Sequence, residues 1–165
     1  MIKRLPPESP AFVDSARLLV QLHKLLRTGQ GDSVQADSVR DQMDGPWREL
    51  DEENASRIRG LSADLYSIGE QREASHLTEE QASVLHSQLE SGDWHEALKF
   101  LREHELCIPP ADLASFRGRC WARLKHHEVA LLFFEEARRL KPGDEELNAL
   151  YLQTLIAANH TGAAR

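Results

Sequence analysis

A chain of 165 residues, 41% hydrophobic and 28% charged, is long enough for one domain with a sizeable core and has an ordinary globular balance. The formal net charge of −7, with no clustered basic stretch, argues against nucleic acid or an anionic membrane surface as a partner. No apolar run approaches the roughly 20 residues that span a bilayer, "MIKRLPPESP" lacks the apolar core of a signal peptide, and two cysteines, Cys107 and Cys120, make no disulfide framework. The expectation is a cytoplasmic protein with reduced thiols.

The chain reads as helices throughout. Ser9-Pro10 is an N-cap followed by proline at the first helical position. Phe12, Ala16, Leu19, Val20, Leu22 and Leu26 then form a helical stripe that Gly29 closes. "TGQGDS" is a turn, and a second helix is predicted from Ser33 to about Asp44, with Ala36, Val39 and Met43 on one face. "DGPW" should break it at Gly45-Pro46. Asp51 can cap a third helix, on which Ile58, Leu61, Leu65 and Ile68 fall at i, i+3, i+7 and i+10. The polar stretch 69–75 is the expected joint, giving an N-terminal helical region 1–76 and a second region 77–165.

Thr78 and Gln81 have the spacing of a capping box for the fourth helix, whose apolar side is Val84, Leu85 and Leu89. "SGDW" turns the chain, and Asp93 can cap a fifth helix with Trp94, Ala97, Leu98 and Leu101 inward. "CIPPAD" stops it. Helices six and seven are predicted over about 111–124 and 127–140. "KPGD" then leads to an eighth over about 145–159, with Leu147, Leu150, Tyr151 and Leu155 apolar and "HTGAAR" frayed. The fold class is therefore all-α: about eight helices in stacked antiparallel hairpins, because short connections return the chain alongside itself.

Two segments align at an offset of 33 residues: Trp94-His95-Glu96-Ala97 on His127-Glu128-Val129-Ala130, Leu101 on Phe134, and Pro109 on Pro142. Gly31-Asp32-Ser33-x2-Ala36 echoes the spacing of Gly92-Asp93-Trp94-x2-Ala97. In the second segment Gly118-x2-Trp121, Ala130-x3-Phe134, Ala137 and Pro142 carry a pattern that resembles the tetratricopeptide repeat family, with Ala114 and Arg117 where tryptophan and leucine are usual. The resemblance covers about residues 78–159, half the chain, and leaves 1–76 unassigned. The unit 78–110 departs further, with Leu85 and Gln88 at the glycine and tyrosine positions. The resemblance implies an α-α superhelix whose first helix in each hairpin lines a concave groove. The eighth helix would cap the array.

The residues that suggest chemistry have simpler explanations. His126, His127 and Glu128 lie at a turn and helix start, and Cys120 lacks the paired ligand spacing of a zinc site. The expectation is no metal and no cofactor. His76, His86, His95 and His104 read as scattered solvent-facing histidines. "DEEN" and "TEEQ" are caps and dipole partners at helix starts. No phosphate loop, nucleophile elbow or dinucleotide fingerprint occurs.

The function that follows is a non-enzymatic protein-interaction module binding a peptide or partner helix. The resemblance places Arg119, Arg123, Asp112 and Ser115 on the groove, with His86 and Glu90 from the fourth helix and Glu146 and Gln153 from the eighth. Family members that grip a C-terminal carboxylate use lysines, asparagines and an arginine. The matching positions read Ala82, His86, Phe116, Glu146 and Leu150, which argues against that ligand. Two alternatives stand beside this reading: a dedicated small acidic chaperone for a secreted substrate, and a metal-dependent regulator or enzyme using the N-terminal region.

Overall fold

The computed structural model describes residues 6–163, so the reading of "MIKRL" and the last two residues of the tail lie outside it. Among the described residues there are eight α-helices, one short 3-10 turn over Glu105–Cys107 and no strand. The fold is all-α. The chain divides into two compact units, 1–66 and 67–165.

The first unit holds α1 (Pro10–Arg27), α2 (Val34–Arg48) and α3 (Glu52–Tyr66), with α1 packing on both others. Ser9 Oγ accepts from the Phe12 N–H at 3.1 Å, which satisfies one orphan donor of the first turn. Phe12, Ala16, Leu19 and Val20 are buried as expected, whereas Leu26 lies at the surface and Leu18 and Leu25 join Ala36 and Val39 in the core instead. The helix does not break at Gly45-Pro46 but continues to Arg48. Proline forfeits the bond its N–H would make to the preceding turn, and close to the helix end that loss stays confined to one bond. Asp51 caps α3 by accepting from the Asn54 N–H at 2.7 Å, which holds its carboxyl below the ordinary value. Buried Asn54 donates in turn to Asp51 and to the Pro7 carbonyl, tying the incoming chain to α3. Ile68 falls beyond the end of α3 and is not on its face, since the helix stops at Tyr66 and Gly69 turns with φ +93°.

The second unit holds α4 (Glu79–Ser91), α5 (Trp94–Glu103), α6 (Pro110–Arg123), α7 (His127–Leu140) and α8 (Glu145–Ala163), each packed on the next. Both bonds of the Thr78–Gln81 capping box are made, at 3.0 and 3.2 Å. Of the apolar residues expected inward on α4, only Leu85 is buried, and Val84 faces out. Asp93 makes no side-chain cap bond to α5, because its carboxylate accepts from Ser91 Oγ instead. The last helix runs through to Ala163, so residues 160–163 are helical and not frayed. Cys107 and Cys120 are both free.

The offset of 33 residues is visible in the backbone itself. Gly92 and Lys125 both take left-handed φ, +80° and +69°. The residues after them, Asp93 and His126, share one unusual conformation, φ −81° ψ 63° and φ −90° ψ 71°. Their N–H groups reach back to the carbonyls of Gln88 and Trp121, both at 3.0 Å. Ala97 and Ala130 are then fully buried at the same point of the following helix, as are Leu101 and Phe134 one turn on. Two hairpins of one geometry thus follow each other. The echo at Gly31 is only partial: Ala36 is buried, but Gly29 and not Gly31 takes the left-handed conformation.

Small residues set the helix spacing within the second hairpin. A Cβ on Gly118 would lie 2.6 Å from the Phe134 ring, so α6 and α7 approach only because position 118 has no side chain. Trp121, Phe133, Phe134 and Ala137 fill the contact, all essentially inaccessible. Ala114, Ala137 and Leu147 extend the core to α8.

The polar stretch expected to be a joint is strapped onto the second unit. Ser75 donates from its N–H and its Oγ to the Leu106 carbonyl at 3.0 and 3.2 Å, and Arg72 donates to the Glu105 carbonyl. Gly69 N–H donates to Glu136 at 3.1 Å, and Arg117 donates to Ser67 Oγ at 3.0 Å. Arg117, 2% exposed, stands where the repeat pattern has leucine and also pairs with Glu105 at 3.3 Å. A buried guanidinium is tolerated only with partners. Glu136, buried too, is held by two bonds from Arg139 besides. Composition marked this stretch as a linker, but its backbone and side-chain donors are spent on the second unit.

Candidate functional site

The second unit carries a groove of about 430 Å³. Leu89 of α4 and Trp94 at the start of α5 form one end. Arg119, Ala122 and Arg123 of α6, with His127 and Phe134 of α7, form the middle. Leu150, Gln153, Thr154 and Ala157 of α8 form the far wall. All five helices of the second unit contribute, with α6 and α8 supplying seven of the eleven lining residues. The volume lies within the range of about 300–1,000 Å³ typical of ligand sites.

The groove is apolar along its floor and cationic at one wall. The Arg123 guanidinium lies 5.8 Å over the Trp94 ring, and no carboxylate among the described residues pairs with it. Arg119 Nη2 donates to Glu146 Oε1 at 2.8 Å, and the Glu146 side chain is 71% exposed. Thr154 satisfies its hydroxyl within its own helix by donating to the Leu150 carbonyl at 2.7 Å. His127 presents an imidazole whose pKa is lowered, first by burial and then by Lys125 and His126.

Of the residues expected on the groove, Arg119, Arg123 and Gln153 line it together. Glu146 borders it through Arg119. Asp112 is instead engaged by Lys141 at 2.9 Å. His86 and Glu90 pair with each other at 3.0 Å on the exposed side of α4, and Ser115 is not among the lining residues. Trp94, Leu89 and His127 escaped the sequence reading as groove residues, since apolar residues on amphipathic helices signal core first, whereas Leu150, at a position matched to the family's groove, does line it. The expectation of solvent-facing histidines holds for His76 and His86 only. His95 and His126 meet Trp121 edge-on, at 5.8 and 5.4 Å between ring centres, and His104 stacks on Phe100 at 4.1 Å.

Other hollows offer less. The cleft under the strap at Arg117 and Glu136 holds about 20 Å³, room for one water. A hollow of about 310 Å³ in the first unit lies among Leu22, Met43, Ile58 and Trp47, with Arg40 already paired to Asp37 at 3.0 Å. No group of three His, Cys, Asp or Glu side chains among the described residues could hold a metal ion. No described helix is long and apolar enough to cross a membrane.

His127 and His23 carry a pH signature. Burial lowers both below the ordinary 6.5, with Arg27 adding to the effect on His23. The unfolded chain therefore takes up these protons at a higher pH than the folded chain, and stability declines as pH falls below about 6.5. Urea midpoints at about pH 7.5 and about pH 5.5 should differ in that direction, and His127→Gln should shrink the difference. Equal midpoints at both pH values would show that neither ring is held neutral. No protein-family profile, curated protein or solved structure matches the chain.

Proposed function

We propose that residues 78–159 form a tetratricopeptide-like pair of hairpins with a capping helix, and that the protein is a non-enzymatic, cytoplasmic interaction module. It would hold a peptide or partner helix in the groove of α4, α6 and α8. The observation that carries this reading is the groove itself: about 430 Å³, mostly apolar, and lined chiefly by α6 and α8. Trp94 and Arg123 give it the aromatic and guanidinium side chains enriched at binding hot spots. Chemistry at the same place would need a nucleophile and base in contact, or a convergent ligand set, whereas the lining offers one imidazole, on His127, and one hydroxyl, on Thr154, which donates to the Leu150 carbonyl of its own helix, with no carboxylate or thiol among the lining residues.

The test is capture from native lysate by the full chain and by Ala122→Tyr, which fills the groove from α6 without touching the core between α6 and α7. Polypeptides held by the wild type and released by the variant, identified by mass spectrometry, support the reading. An identical set on both proteins, or none on either, defeats it.

A further inference from the structure

We infer that the occupant of this groove is an acidic amphipathic peptide, and that Glu146 stands in for its carboxylate on Arg119 while the groove is empty. The inference rests on the groove reading above and adds the chemistry of the partner. The chain carries a net charge of −7, yet two of its guanidiniums face one small apolar concavity. Arg123 has an aromatic ring behind it and no carboxylate among the described residues in front. A cation over an apolar floor binds most strongly to an anion that arrives with its own apolar flank, because water is expelled from both. Lysine-bearing segments would meet Arg119 and Arg123 as like charges.

Arg119 sharpens the point. Among the described residues it pairs with Glu146, reached from α8 at 2.8 Å. The Glu146 carboxylate is mostly in water, so an exposed pair of this kind is cheap to open. An arriving carboxylate can replace it on Arg119, and Glu146 then returns to solvent. Two carboxylates one helical turn apart, flanking leucine-sized side chains, would meet Arg119 and Arg123, which are themselves one turn apart on α6.

The probe is a displayed library of random 16-residue peptides, selected on the full chain. The selected pool should be rich in Asp or Glu beside apolar residues at helical spacing. With one selected peptide, titration calorimetry should show binding weakened about tenfold by Arg123→Gln, the scale of one charge-assisted hydrogen bond. Glu146→Gln should tighten binding a few-fold by removing the competitor. Glu103→Gln, which changes the net charge equally at an exposed position at the end of α5, should leave it unchanged.

Three results would overturn the inference. Selected peptides that are apolar without acids, yet lost on Ala122→Tyr, would keep the groove and refute its acidic partner. Binding weakened by Glu146→Gln would show Glu146 to be a contact and not a stand-in. An empty selection would defeat both this inference and the groove reading.

Discussion

Trp121→Ala is expected to destabilise the second unit by about 3–5 kcal/mol, the range for emptying a large aromatic site in a core. The indole is the largest fully buried side chain and sits on α6 between two imidazole edges, His95 from α5 and His126 from the next turn. Truncation leaves a cavity that neither neighbour can fill, because His126 is held by its N–H bond to the Trp121 carbonyl and His95 by the helix that carries it. Edge-to-face contacts of this kind add about 0.5–1.5 kcal/mol beyond area burial. Urea denaturation should show a lower midpoint at an unchanged slope. A loss below about 1 kcal/mol would mean the site collapses freely and that Trp121 is not the keystone of the hairpin.

Gly118→Val tests the close approach of α6 and α7. A helix gains about 1 kcal/mol when an ordinary residue replaces glycine, less for a β-branched one. Here that gain is outweighed, since even a Cβ would fall 2.6 Å from a fully buried phenyl ring that has nowhere to move. Overpacking of this sort costs about 1–3 kcal/mol, and valine should reach the upper end. The cause is checkable by coupling: Phe134→Leu alone removes good packing, but combined with Gly118→Val it should restore part of the loss. An interaction energy of at least about 0.5 kcal/mol in that cycle is expected. Strict additivity would show that the ring is not what excludes a side chain at 118.

The helices were legible because the chain signals them locally. Ser9-Pro10, Thr78 with Gln81, and the apolar periodicity around Ile58 are short-range features, and each acts where it is written. Gly118 and Phe134 were legible from their places in the pattern Gly118-x2-Trp121 and Ala130-x3-Phe134, although the preceding unit has Leu85 where Gly118 stands. What misled was composition without context. Pro46 looked like a terminator, but its cost depends on how near the helix end already is. Arg117 looked like an irregularity in an apolar pattern, whereas Glu105 and Ser67 make it the anchor of the strap. The groove was half readable: Arg119, Arg123 and Gln153 follow from helix order, while Trp94 and Leu89 could be recognised only once the hairpins had placed them around a common hollow.

The strap has a practical consequence for anyone dividing the chain. Cutting where the sequence turns polar to apolar, near residue 77, would discard Ser67, Gly69, Arg72 and Ser75. It would also expose the Leu106 carbonyl and strip Arg117 and Glu136 of bonding partners. A fragment beginning at Ser67 keeps all of them, so the bonding of the C-terminal half is completed by ten residues, 67–76, that look dispensable.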